Sequence, residues 1–169
     1  QAFSIDDSQT TEIDDALSVQ GLGSGKVVLG IHIAAPALAL QPGSPIDAVA
    51  RQRLSTVYMP GYKITMLPDG VVQSYTLLEG RDCPAVSLYV TLDEATLAVQ
   101  TSETRLERVP IAHNLRHDQL DAIVTAPWLE ESGVGAENTA EPLSSLRLPL
   151  SFLYRLARHL KSQRELVRG

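Results

Sequence analysis

Phe3-Ser4-Ile5-Asp6-Asp7-Ser8-Gln9-Thr10-Thr11-Glu12-Ile13-Asp14-Asp15-Ala16-Leu17-Ser18-Val19 holds five acids in seventeen residues, and no Lys or Arg appears before Lys26. Carboxylates packed this closely repel one another and resist removal from water. Two arrangements make such a run tolerable: a solvated acidic surface loop, or a folded site in which a cation holds the acids together. The flanks bear on that choice. Phe3 and Ile5 lead in, and Ala16-Leu17-Ser18-Val19-Gln20 leads out with the alternation of a half-buried strand. Acids held between apolar strands suggest a site built on a sheet.

The ligand set suits magnesium, a hard cation that prefers oxygen and takes one or two carboxylates together with substrate phosphates. Two such ions can clamp the attacking and leaving oxygens of a phosphodiester. A calcium-binding EF-hand starting at Asp6 would need Gly at its sixth position and Glu at its twelfth. Those positions hold Thr11 and Leu17, so that motif is excluded.

Composition bounds the rest. A chain of 169 residues with 44% hydrophobic content is one domain's worth of sequence with a workable core. No apolar run approaches the length of a membrane span. The chain opens on Gln1 without Met or a basic-then-apolar leader, which reads as a segment cut from a longer protein. The single Cys83 excludes an internal disulfide and a cysteine-rich zinc site, and suits a reducing, cytoplasmic setting. The net charge of -6 runs against general nucleic-acid binding, yet Arg147, Arg155, Arg158, Lys161, Arg164 and Arg168 crowd the last quarter.

Hydrophobic periodicity predicts strands over Ala16–Gln20, Lys26–Ala34, Ala85–Asp93 and Leu97–Val109. The Gly21-Leu22-Gly23-Ser24-Gly25 connection is a turn; it lacks the Gly-Lys-Ser/Thr ending of a phosphate-binding loop and leads into a strand. His32, inside the run Val27–Ile33, reads as a core or edge residue. Ser44-Pro45-Ile46-Asp47 starts a helix with a cap, a first-turn proline and a reciprocal acid. That helix carries Arg51 and Arg53, either solvated or free to touch phosphate. A short helix is predicted over Asp118–Thr125, stopped by Pro127. A mobile loop follows over 129–145. Last comes an amphipathic helix over Leu150–Val167 with an apolar stripe of Leu150, Leu153, Tyr154, Ala157 and Leu160. The fold class expected is α+β, a twisted and mainly antiparallel sheet with flanking helices.

Several blocks resemble the catalytic RNB domain of the ribonuclease II family. Ile5-Asp6 followed by Glu12-Ile13-Asp14-Asp15-Ala16-Leu17 is similar to the start of that domain. Gly30-Ile31-His32-Ile33-Ala34 resembles its next strand, and Gly43-Ser44-Pro45-Ile46-Asp47 its following helix start. Arg53-Leu54-Ser55-Thr56-Val57-Tyr58-Met59-Pro60-Gly61, then Met66-Leu67-Pro68, resembles its most recognisable block. The likeness runs from about residue 3 to about residue 93 and more loosely beyond. On this basis residues 3–169 are expected to be the N-terminal part of an RNB-like domain.

The resemblance implies a processive 3′→5′ exoribonuclease that hydrolyses single-stranded RNA to nucleoside 5′-monophosphates with Mg2+. It implies metal binding by Asp6, Glu12, Asp14 and Asp15, with Asp14 the residue most closely tied to cleavage. It also implies base stacking by Tyr58. An aromatic face gives sequence-tolerant stacking worth about 1–3 kcal/mol per base, against the alternative of a core aromatic with its hydroxyl satisfied. Pro60-Gly61 argues for a loop there. The chain departs from the pattern at Glu12, where relatives carry aspartate, after Ala34, where an acid is common, and at Ser74-Tyr75-Thr76-Leu77. These departures favour a rival reading, a catalytically degenerate module that binds RNA or protein. The remainder of the RNB domain and flanking OB-fold domains are the expected partners, and the isolated piece is expected to be inactive. In a regular strand Asp14 and Asp15 point to opposite faces, so both serve one site only where the chain bends.

Overall fold

The computed structural model describes residues 1–130 and 139–168. In chain order, β1 (Ala2–Asp6), β2 (Asp15–Gln20) and β3 (Lys26–Ala34) precede a 3-10 turn (Pro36–Ala39) and α1 (Pro45–Arg53). A small hairpin of β4 (Val57–Met59) and β5 (Tyr62–Ile64) follows, then α2 (Asp69–Tyr75). The long strands β6 (Asp82–Asp93) and β7 (Val99–Arg116) lead to α3 (His117–Asp121), α4 (Ala126–Leu129) and α5 (Leu143–Arg168).

The mainly antiparallel sheet is present, and it closes into a barrel in the order β1-β2-β3-β6-β7. Closure comes from one parallel pairing, with Phe3 opposite His113 and Asp6 opposite Arg116. The paired segments lie far apart in the sequence, and β7 continues seven residues past the Val109 end that periodicity suggested. Every other pairing within the barrel is antiparallel.

Five strands leave little room inside, and the sequence answers with small residues. Ala2, Ala16, Ser18, Gly30, Ala85 and Ser87 are buried on the inward face. His32 fills part of the space that they leave. It is 1% exposed, with Nε2 hydrogen-bonded to Ser18 Oγ at 2.9 Å and Nδ1 to Ser87 Oγ at 2.8 Å. Both ring nitrogens are thus satisfied, as a buried imidazole requires. His32 is a core residue.

Outward-facing apolar residues need a cover, and α5 supplies much of it. Leu143, Leu146 and Leu150 pack with Phe3, Leu115, Leu120 and Trp128. Phe152 and Leu156 pack with Val27, Leu29, Leu92 and Leu97. The helix therefore starts seven residues before the predicted Leu150, running through Pro149. Proline inside a helix removes a hydrogen bond, but the buried leucines on its N-terminal side outweigh that signal. The stripe is also rotated: Phe152 and Leu156 are buried, whereas Ala157 and Leu160 are exposed.

Of the predicted helix over Asp118–Thr125, only the part through Asp121 is helical, in α3; α4 is a separate turn that begins after it, at Ala126. Pro127 lies in the first turn of α4, and the side chain of Thr125 caps it by accepting from Trp128 N. Of the loop expected over 129–145, residues 131–138 lie outside the described residues, Leu129 ends α4 and Leu143 opens α5. The α1 cap forms with one shift from a capping box: Ser44 accepts from Asp47 N, but Asp47 Oδ2 accepts from Gly43 N at 2.7 Å, one residue before the cap, while Ser44 N donates to Gln41 O. Among the described residues no helix is long and apolar enough to cross a membrane.

Two predictions follow from the barrel interior. A Cβ on Gly30 would meet Ser18 Oγ and come within 2.7 Å of His32 Nε2, so Gly30→Ala is expected to lower stability by about 1–3 kcal/mol in urea unfolding. Burial lowers the His32 pKa from its ordinary 6.5, while Glu107 acts in the opposite direction. The unfolded chain then takes up a proton that the native barrel resists, so this stability is full above pH 6.5 and is lost as pH falls below it. Urea midpoints are expected to show that decline, and His32→Asn to remove its part of it.

Candidate active site

The loop between β1 and β2 is pinned by its one apolar residue. Ile13 is 1% exposed and packs with Ala16, Leu77 and Ala85. Its amide donates to Thr76 Oγ1 at 2.7 Å, and its carbonyl accepts from Leu77 N at 2.9 Å. The Asp14 carbonyl accepts from Ala34 N at 2.8 Å. With Ile13 turned inward on an extended backbone, Glu12 and Asp14 are turned the other way. Both line a cavity of about 360 Å³ together with Ala34, Thr56, Tyr58, Met66, Val72 and Tyr75.

The rest of the loop is held by its carbonyls. Arg116 Nη1 donates to Asp7 O at 2.9 Å and to Thr10 O at 3.2 Å. Asp6 ends β1 and accepts from Ser4 Oγ at 2.5 Å, while Ser4 Oγ in turn accepts from Asn114 Nδ2 at 3.0 Å. Asp15 opens β2 and is exposed. The structure therefore brings Glu12, Asp14 and Tyr58 onto one cavity, while Asp6 and Asp15 lie outside its lining.

Asp14 still feels the other three acids. The Asp14 pKa is raised by burial first, then by repulsion from Glu12, Asp15 and Asp6, with Lys63 pulling the other way. Glu12 Oε1 is buried and makes no hydrogen bond; its charge partner is Lys63 Nζ at 2.5 Å. Carboxylates crowded around an acid whose proton affinity they raise are the donor chemistry of a hard divalent cation. Among the described residues, however, no three His, Cys, Asp or Glu already stand in a metal-holding arrangement. The donors fit the cation in kind and would have to draw together around it.

Tyr58 is not on an irregular loop. It lies in β4, Gly61 sits in the turn with φ 85°, and Tyr58 pairs across the hairpin with Lys63. Its side chain is 71% exposed. Sequence reasoning passed over Lys63 and Arg116. A turn centred on Pro60-Gly61 would have put Lys63 opposite Tyr58, whereas nothing local announces the role of Arg116. Arg51 and Arg53 face elsewhere: Arg51 pairs with Asp47, and Arg53 Nη1 donates to Thr65 O at 2.6 Å.

A larger groove, about 1040 Å³, lies between the Gly21–Gly25 turn and α5. Two of its charged side chains, Glu94 and Arg155, are engaged within the fold. The Glu94 carboxylate accepts from Gly23 N and Gly25 N at 2.8 and 2.9 Å, and Arg155 Nη2 donates to Glu94 O at 2.6 Å. The glycine-rich amides thus hold an internal carboxylate.

The fold carries the ionised Asp14 at a cost, because its pKa is raised. In EDTA at neutral pH, Asp14→Asn is expected to melt at a higher temperature than the wild-type chain. An unchanged or lower melting temperature would show that the neighbouring acids do not destabilise it.

Comparison with known proteins adds the family. Residues 1–167 match the RNB domain. Exoribonuclease 2 of Pectobacterium atrosepticum is 48% identical over 145 residues, covering 85% of this chain and 22% of that protein. Mycoplasma genitalium RNase R in complex with ribose-methylated single-stranded RNA has the same fold, with a TM-score of 0.79 and 21% identity over 96% of this chain and 24% of its own. Yeast Ssd1, described as a pseudonuclease, matches with a TM-score of 0.67 and 27% identity over 75% of this chain and 15% of its own. The chain spans between 10% and 22% of the length of the curated relatives it matches. With the match extending over nearly all of its residues, the chain belongs to the RNB domain family.

Proposed function

We propose that this chain forms the acidic wall and the base-stacking edge of an exoribonuclease site that hydrolyses single-stranded RNA from its 3′ end to nucleoside 5′-monophosphates. One observation carries the reading: Glu12, Asp14 and Tyr58 line the same cavity. The exposed ring of Tyr58 offers a face on which a base can stack whatever its sequence. The acidic cluster around Asp14 would hold magnesium, which when bound neutralises phosphate charge and lowers the pKa of a water. Asp14, made more basic by burial and by its neighbours, is the group suited to orient such a water and take its proton.

Single-stranded RNA is the proposed substrate. The remainder of an RNB domain and flanking OB-fold modules are the proposed sources of further RNA affinity. A buried free thiol at Cys83 supports a reducing, cytoplasmic setting. A second reading, a degenerate module that binds RNA or protein without cleaving, is favoured by the ion pair that already engages Glu12.

The test uses the full-length protein and 5′-labelled single-stranded RNA, with magnesium or with EDTA. Shortening from the 3′ end is expected only with magnesium. Asp14→Asn should slow it by about a hundredfold or more while RNA binding persists. Intact RNA with retained binding would favour the degenerate module. The isolated 169-residue chain is expected to show little or no cleavage, and a rate equal to that of the full-length protein would overturn that expectation.

A further inference from the structure

We propose that Glu12 and Lys63 form a matched brace that seats the β4–β5 hairpin, and with it Tyr58, against the acidic loop. Glu12 serves the hairpin in this role, leaving the aspartates of the cluster for a cation. The inference deepens the ribonuclease reading and rests on it for its consequence in RNA binding.

The hairpin needs an external hold. Each strand has three residues, and the pair forms a sheet of its own, apart from the barrel. An isolated two-stranded hairpin is at best marginal in water. Val57, Tyr58, Tyr62 and Ile64 are all exposed, so little apolar burial anchors it. Two bonds fix its stem: Met66 N donates to Thr56 Oγ1 at 3.2 Å, and Arg53 Nη1 to Thr65 O. Neither sets where the strands lie relative to the acids.

Lys63 does. Among the described residues it is the one side chain of either strand with a hydrogen bond or ion pair to another part of the fold. Its ammonium meets Glu12 Oε1 and donates to Thr11 Oγ1 at 2.9 Å. The pair is partly withdrawn from water, with side-chain exposures of 30% for Lys63 and 11% for Glu12, so losing one partner strands the other's charge. Directly opposite residues in an antiparallel pair are side-by-side neighbours on one face, and Lys63 is opposite Tyr58. Length matters too. An aspartate at position 12 would end one methylene short of the ammonium.

The test reads the hairpin and the RNA separately, in the full-length protein without divalent cation so that RNA stays intact. Amide hydrogen exchange over residues 57–64 should quicken by about tenfold in Lys63→Met and in Glu12→Asp. The barrel strands should be unaffected, and Lys63→Arg should keep the protection. Unchanged hairpin exchange in Lys63→Met would overturn the brace. Stacking is followed with RNA carrying 2-aminopurine near its 3′ end. Lys63→Met and Glu12→Asp should reduce its quenching, and Lys63→Met should add nothing in a Tyr58→Ala background. Additive losses would instead make Lys63 a direct RNA contact and refute the brace. Titration with Mn2+ completes the assignment: Glu12→Asp should bind it as the wild type does, and tighter binding with intact quenching would make Glu12 a cation ligand. If Tyr58→Ala leaves quenching unaltered while hairpin exchange still responds to Lys63→Met, the stacking reading fails and the brace stands.

Discussion

The burial of Ile13 is the constraint on which the site depends. One isoleucine, locked on both backbone sides by Thr76 and Leu77, turns its two acidic neighbours outward. The energetic logic is a division of labour. Apolar burial and backbone hydrogen bonds supply the favourable terms, and they oppose the mutual repulsion of the carboxylates that raises the Asp14 pKa. A loop of acids without such an anchor would relax into solvent and separate its charges.

The same logic recurs in the barrel. Small residues leave a space in the lumen that His32 closes between two serines, and Ile13, Leu77, Val109 and Ile111 pack with Ala2, Ala16 and Ala85. Polar groups are tolerable there because each finds a partner. Two further hydrophobic clusters lie outside, where α5 covers them. A rigid barrel then presents the acidic loop at one end, while the pieces that complete the cavity are a small hairpin and two short helical segments.

Much of this was legible in the sequence, for identifiable reasons. Alternation marks strands whatever their partners, so β2, β3 and β6 could be bounded, and Ser44-Pro45 marked α1 through local capping chemistry. The acidic cluster and Tyr58 stood out through the resemblance of their blocks to the RNB domain, since composition alone left a solvated loop and a core aromatic open. What stayed hidden depends on distant pairing. Nothing near Phe3 announces its partner His113, and so barrel closure was invisible. Pro149 masked the true start of α5, because the buried leucines that override it act through tertiary contacts. Lys63 was missed since its meaning lies in the residue opposite it and in a loop fifty residues earlier.

The parallel pairing of β1 with β7 also orders events in time. The hairpin-connected strands β2-β3 and β6-β7 are joined by short turns, and contacts between neighbours in sequence form first. The β1–β7 ladder joins residues 2–6 to residues 111–116, and closing a loop that long carries the largest entropic cost in the fold. Glu12 and Asp14 are held through Ile13 and Ala34, whereas Asp6 lies on β1 itself, so the long-range closure is what fixes Asp6 beside the other acids.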